Sequence, residues 1–275
     1  MMLTARDLVA RFPGREPVLS GASITLPDGG RVALLGANGC GKTTLLRCLS
    51  GAHRPERGDI ARDGVRLEHG RRGLREHRSA VQLVLQDAAD QLFSADVTQD
   101  VSFGPMNLGL PVAEVRARVD DTLAMLGIEH LAERATHQLS YGEQKKVALA
   151  GAIAMAPSVL LLDEPTAGLD PEGVAEMTAI LDRLHSDGTS LLVATHDVDW
   201  ALAWADAAAI VVDGMVRQGP VAEMLDDQAL LASARLTPPW TLRLAPRLGL
   251  RGRPRTLDEM AALIQARLTE NRTTA

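Results

Sequence analysis

Apolar and polar positions change rhythm several times along the chain. Over residues 3–35 they trade places in short runs, LTARDLVARF, SITL and RVALL, broken by the Pro- and Gly-bearing segments PGREP and PDGG. Short alternating runs bounded by turn residues predict strands. A helix is expected to begin at the GANGCGKTT segment and to run to about Leu49. GDIARDG and AVQLVLQ read as two further strands on either side of RRGLREHR. That basic stretch has both signs of charge nearby and is expected as a solvated loop or helix face rather than a nucleic-acid patch.

From about residue 97 to 156 the rhythm becomes helical. In PVAEVRARVDDTLAMLG, Val112, Val115, Val119, Leu123 and Leu126 recur every three or four residues, with Pro111 at the start and Gly127 at the stop. SYGEQKKVALAGAIAMA reads as a second helix ended by Pro157. Strand and helix then alternate through VLLLDE, a helix over 171–186, SLLVATH, a short helix near 198–205, and AAIVVDG. Such alternation predicts an α/β fold with a mostly parallel sheet and helices on its faces. A helical insertion over about 87–157 interrupts it. Beyond residue 228 the pattern weakens until a last amphipathic helix near 257–268. The stretch 229–275 is therefore set apart as an Arg-rich extension; its last part, 241–275, carries seven Arg against three acids. It is either a solvated appendage or a contact surface.

Composition narrows the picture a little. At 275 residues, 46% hydrophobic and 23% charged, the chain suits one large or two modest globular domains. Aromatics make up only 3%, so the core must be mostly Leu, Val and Ala. A net charge of −6 offers no general attraction for nucleic acid. The two cysteines, Cys40 and Cys48, are expected as reduced thiols. The N-terminus lacks the apolar stretch of a signal peptide. No apolar run approaches the roughly 18 residues of a spanning helix. A role at a membrane would therefore run through a partner.

The chemistry begins at residues 36–44, GANGCGKTT. Gly36, Gly41, Lys42 and Thr43 fit G-x-x-x-x-G-K-[ST] directly after an apolar strand candidate. Backbone amides of Gly36, Ala37, Asn38, Gly39, Cys40, Gly41 and Thr44 are expected around phosphates, with Lys42 on the β- and γ-phosphates and Thr43 as a Mg²⁺ ligand. VLLLDEP, 159–165, places Asp163 and Glu164 where a buried strand ends, the edge at which open α/β sheets bind ligands. Asp163 is assigned to Mg²⁺ and Glu164 to activation of the attacking water. His196, at the end of SLLVATH, is placed to sense a γ-phosphate. Gln86, read as the last residue of the strand AVQLVLQ, would report on metal or water and lead into the insertion. In LSYGEQ, Ser140 and Gly142 open a helix and form a second anion-binding terminus. A second terminus has a use if it addresses a nucleotide held by another copy in a two-fold dimer.

Taken in order, GANGCGKTT, Gln86, LSYGEQ, VLLLDEP, the GLD of 168–170 and His196 resemble an ATP-binding-cassette ATPase over about residues 3–225. The resemblance implies a RecA-like parallel sheet, an N-terminal antiparallel β subdomain and an inserted helical subdomain within a cassette of 1–228. It implies ATP and Mg²⁺, head-to-tail dimers in which Ser140 and Gly142 reach the other subunit's γ-phosphate, Asp170 at the dimer seam, and Phe12 against adenine. Tyr141 stands where the family usually has Gly, and Glu143 where it usually has Gln. The added carboxylate bears on the rate. QDAADQLFSADVTQDVSFGPMNLGL is similar to the same region in ATPase subunits of energy-coupling-factor importers. Those subunits work as homodimers or paralogue pairs at the cytoplasmic face of the membrane, with a transmembrane scaffold and a small substrate-binding membrane protein. Tyr141 inclines the resemblance toward cobalt or nickel members rather than vitamin members. Leu92, Phe93, Phe103 and Met106 suit a groove for a helix of the scaffold. An importer using a soluble binding protein, or a soluble cassette acting on DNA or the ribosome, are the other readings.

Overall fold

Strand by strand, the alternating segments assemble as a computed structural model of residues 1–273. In chain order the strands are β1 (Leu3–Ala10), β2 (Leu19–Leu26), β3 (Arg31–Leu35), β4 (Arg57–Arg62), β5 (Val65–Arg66), β6 (Val81–Val84), β7 (Val159–Asp163), β8 (Ser190–Ala194), β9 (Ala207–Val212) and β10 (Met215–Pro220). The helices are α1 (Lys42–Leu49), α2 (Arg71–Ala80), α3 (Val97–Leu108), α4 (Val112–Leu126), α5 (Tyr141–Ile153), α6 (Pro171–Ser186), α7 (Val198–Trp204), α8 (Val221–Met224), α9 (Gln228–Ser233), α10 (Trp240–Arg247) and α11 (Leu257–Thr273).

The main sheet runs β10-β9-β3-β8-β7-β6, parallel except for β10 at one edge. A second, antiparallel sheet runs β2-β1-β4-β5. The two are tied where the Thr25 amide donates to Gln218 Oε1 (2.9 Å) and Gln218 Nε2 donates to the Thr25 carbonyl (2.6 Å).

Parallel strands buried on both faces carry apolar residues at every position, and their period of two sends neighbours to opposite layers. Val32 and Leu34 of β3, with Val159 and Leu161 of β7, pack against Leu45, Leu46 and Leu49 of α1 and the inner face of the antiparallel sheet. Ala33 and Leu35, with Leu160 and Leu162, pack on the other side with Val147 and Leu149 of α5, Leu181 of α6, and Val101, Val115 and Val119 of the inserted helices. The sheet thus separates two apolar layers, and its carboxyl edge lies between them.

Two segments depart from the sequence reading, and a third, expected as a solvated loop or helix face, adds partners to it. RRGLREHR is helix α2, and its basic groups turn to backbone carbonyls as well as to solvent: Arg78 donates to Gly51 (2.7 Å), Arg75 to Asn107 and Leu108, and buried His77 meets the Leu49 carbonyl (2.7 Å). Carbonyls at helix C-termini have no intrahelical donor, so cationic side chains are favourable there. β6 stops at Val84 instead of running to Gln86. The Gln91 side chain accepts from the Leu85 amide (2.7 Å) and donates to the Leu83 carbonyl (3.1 Å), taking over groups that a longer strand would have paired. Beyond residue 228, Leu230, Leu231, Ala234 and Leu242 join the helical-side core. Arg255 donates to the carbonyls of Leu202, Ala203 and Ala205, at the end of α7.

Candidate functional site

Residues 36–41 form the turn between β3 and α1. Gly41 caps α1 at φ +111° and offers no side-chain cap, so the first amides of the helix are left for a ligand. A Cβ at Gly41 would sit 3.0 Å from the side chains of Val18 and Leu19, and an L residue would be strained at that φ. Lys42 is buried, and its Nζ donates to the carbonyls of Gly36 (2.8 Å) and Ala37 (3.3 Å). The loop thereby holds a positive charge next to the unpaired amides, a combination that favours a multiply charged anion.

Across the turn, β7 delivers its carboxylates. The Thr43 hydroxyl donates to Asp163 Oδ2 at 2.5 Å, which brings together two oxygen donors of the kind a hard divalent cation takes. Glu164 follows at φ +50°, a left-handed conformation that costs a residue with a side chain roughly 1–2 kcal/mol. Asp163 and Glu164 therefore diverge because the chain leaves the extended state between them, not through the pleat of a strand. The Glu164 amide donates to the Ala194 carbonyl (2.8 Å), and its Oε2 lies 2.9 Å from His196 Nδ1. Both acids are at least 94% buried, whereas His196 is exposed.

These groups share one cavity of about 450 Å³. Asn38, Gly39, Gly41, Lys42, Thr43 and Thr44 line it from the loop side. Phe12, Gln86, Asp163, Glu164 and His196 line the rest. Gly36, Ala37 and Cys40 belong to the loop but are not among the residues that line the cavity; burial pushes the Cys40 thiol up, against the pull of Lys42, and pushes Cys48 up to about 12. Arg15 and Val18 line the cavity as well, unanticipated because the segment carries no motif. The Phe12 ring is tilted at 41° against His53, centroids 5.3 Å apart.

The LSYGEQ segment lies elsewhere. Ser140, Tyr141, Gly142 and Glu143 line a second cavity of about 640 Å³ with Gly168 and Asp170, and among the described residues none lines both cavities. Ser140 caps α5: its Oγ accepts from the Glu143 amide (3.4 Å), while Glu143 Oε2 accepts from the Ser140 amide (2.7 Å). Glu143 Oε1 also meets Arg134 at 3.3 Å. Those bonds from Ser140 hold the Glu143 carboxyl below its ordinary range. Its charge is engaged within the helix terminus, a use invisible in the substitution of Glu for Gln. Asp170 caps α6 by accepting from the Gly173 amide (2.8 Å).

Sequence reasoning missed Lys145. It is 4% exposed, and its Nζ donates to the carbonyls of Glu164 (2.8 Å) and Pro165 (3.3 Å). Burial lowers its pKa, against the pull of Glu164, Asp163 and Asp87. The signal was present in the spacing, since Lys145 shares a helix face with buried Ala148, Leu149 and Ala152.

A third feature is a cleft of about 630 Å³ between α2, β6, α3 and α5. Leu92, Phe93 and Phe103 line it, the two Phe rings meeting edge to face at 4.7 Å. Met106, also expected at the groove, is exposed and outside its lining.

With this geometry in view, the comparisons with known proteins are direct. The family model described as ABC transporter matches residues 19–167. The chain belongs to the ABC transporter family. It is an ABC ATPase, an enzyme that binds and hydrolyses ATP. The cobalt import ATP-binding protein CbiO of Rhodobacter capsulatus is 47% identical over 272 residues, covering 95% of this chain and 96% of the relative. An energy-coupling factor transporter ATP-binding protein, EcfA of Methanocaldococcus jannaschii, is 39% identical over 239 residues, 86% of each chain. Among solved structures, cbiO1 of Clostridium perfringens, part of the ABC transporter complex cbiONQ, superposes with a TM-score of 0.74 at 39% identity, covering 90% of this chain and 96% of that one. Among the described residues of this ABC ATPase, no helix is long and apolar enough to cross a membrane.

Proposed function

We propose that this ABC ATPase is the motor subunit of an energy-coupling-factor importer whose cargo is cobalt, or nickel, and that two copies or a paralogue pair close head to tail around ATP. One observation carries the dimer: the LSYGEQ terminus and the P-loop cavity of a single chain share no lining residue. A helix start whose Tyr141 and Gly142 amides lie beyond the capping pair, in a cavity apart from the chain's own phosphate loop, finds an anion on a second copy. Asp170, in the same cavity as Ser140, would lie at the seam.

In the P-loop cavity, Lys42 releases the Gly36 and Ala37 carbonyls and takes the β- and γ-phosphates. Thr43 and Asp163, with Gln86 from the β6 side, would hold Mg²⁺, which supplies charge neutralisation to the phosphates when bound. Glu164 Oε2 orients the attacking water and accepts its proton. His196, hydrogen-bonded to that same oxygen, keeps the carboxylate aimed and meets the γ-phosphate on its exposed side. Phe12 stacks on the base.

Cargo and partners rest on likeness rather than geometry. Relatives named for cobalt import and for energy-coupling factor transport match nearly the whole chain. The cleft with Leu92, Phe93 and Phe103 fits a helix from a transmembrane scaffold, with a small substrate-binding membrane subunit beside it, and the ATPase then sits at the cytoplasmic face of the membrane. Gentle-detergent capture of the chain from its native membranes, with mass spectrometry of what co-purifies, tests this. A scaffold protein with a small metal-uptake subunit is the expected result. A vitamin-binding subunit would overturn the cargo, and a permease with a soluble binding protein would overturn the importer class.

A further inference from the structure

Tyr141 is the residue that the motif leaves unexplained, and Lys145 is the buried charge that the catalytic scheme does not use. They are one helical turn apart on α5, so they present the same face. Lys145 Nζ lies 5.3 Å from the centroid of the Tyr141 ring, within range of a cation–π contact. The same ammonium donates to the Glu164 carbonyl at 2.8 Å and the Pro165 carbonyl at 3.3 Å. The Tyr141 ring also closes on Gly168: a Cβ built there would come within 2.8 Å of Cε1, and Gly168 adopts φ +75°. Tyr141 is partly exposed in the cavity of Ser140 and Asp170, while Lys145 is almost fully buried beneath it.

We propose that Tyr141 and Lys145 are positioning residues that tie the state of the LSYGEQ cavity to the carboxylate of Glu164 in the same chain. The left-handed peptide at Glu164 is held from two sides, by β8 through the Glu164 amide and Ala194, and by α5 through the Glu164 carbonyl and Lys145. A displacement of the first turn of α5 carries Tyr141 and Lys145 together, because both are on one rigid turn. It therefore bears on the 164–165 peptides and on the Gly168 turn at once. A nucleotide seated at Ser140 by the partner would in this way set the aim of Glu164 toward the chain's own nucleotide. This coupling rests on the head-to-tail closure proposed above.

Steady-state hydrolysis by the purified chain tests it. In Lys145→Met, which keeps length and removes the donors, kcat falls roughly ten- to a hundredfold while KM for ATP is unchanged. Tyr141→Gly lowers kcat about two- to fivefold and moves the Hill coefficient for ATP toward one, and Tyr141→Phe, which keeps the ring face, restores both. Wild-type kcat in Lys145→Met overturns the proposal. So does an unchanged Hill coefficient in Tyr141→Gly, a surface change independent of how well the lysine variant folds. Sedimentation of Glu164→Gln with Mg-ATP separates the two readings: a monomer there refutes closure and with it the coupling. A selective kcat loss in Lys145→Met beside that monomer would still support the lysine's hold on Glu164.

Discussion

The P-loop cavity and the LSYGEQ cavity of this chain are built on opposite plans. The P-loop cavity draws on residues from 12 to 196, and its chemistry is carried by buried groups: Lys42, Asp163 and Glu164 are each less than a tenth exposed. Every one of them already has a partner, whether a loop carbonyl, Thr43 or His196. The LSYGEQ cavity rests on two helix starts, those of α5 and α6, with Ser140 and Asp170 exposed. Its hydrogen bonds are cap bonds at the two helix starts, joined by two ion pairs, Arg134 with Glu143 and Lys146 of α5 with Glu176 of α6. Burying unpaired charge is expensive, so a site that must hold a lysine and two carboxylates has to be completed within one chain. Helix termini remain stable in water, and can wait for a partner that brings the charge.

That contrast can be broken from either side. The largest effect is expected for Lys42→Ala, which removes the charge that meets the phosphates: hydrolysis falls below detection in a phosphate-release assay, and retained turnover would refute the P-loop assignment. Glu164→Gln keeps the shape and the hydrogen bond but not the base, and should slow hydrolysis roughly 10²- to 10⁴-fold while ATP still binds. The same variant should accumulate as a closed dimer with Mg-ATP in sedimentation. Ser140→Arg acts only on the second cavity. Turnover should drop roughly tenfold or more while fluorescent-nucleotide binding to the isolated chain persists, and equal loss of both would point to misfolding instead.

The smallest effect sharpens the difference. Glu143→Ala removes the carboxylate half of the capping box and should cost about 0.3–1 kcal/mol of stability at neutral pH by urea unfolding. The Glu143 pKa is lowered in the folded chain from an ordinary 4.5 by bonds from Ser140. A depressed carboxyl contributes stability that is complete above the unfolded pKa and is lost as pH falls through the folded one. The difference between wild type and Glu143→Ala should therefore shrink below about pH 4.5. A penalty independent of pH would show that the carboxylate charge plays no part in the cap.

Much of the scaffold was legible because its signals are local. Four of the central strands, β3, β7, β8 and β9, are short uninterrupted apolar runs, and α4 and α6 carry their own periodicity and stop signals. β6 was misjudged because its end is decided by Gln91, seven residues past Val84, whose side chain takes the Leu83 and Leu85 backbone groups. Arg75 and Arg78 of α2 looked like solvated charge, and the tail that holds Arg255 was open between a solvated appendage and a contact surface. Their carbonyl partners lie at the ends of other helices, far away in sequence.

By itself the sequence determined the α/β class, the phosphate loop and the motif-borne groups that converge on it, since each of these is encoded by neighbouring residues of fixed spacing. Tertiary structure decided what depends on contacts between distant segments. Among these are the left-handed turn that parts Asp163 from Glu164, the anchoring of that turn by Lys145, and the separation of the Ser140 terminus from the P-loop of its own chain. A spacing rule reports which side chains share a face, but which carbonyl a buried ammonium meets across that face is set only when the layers close.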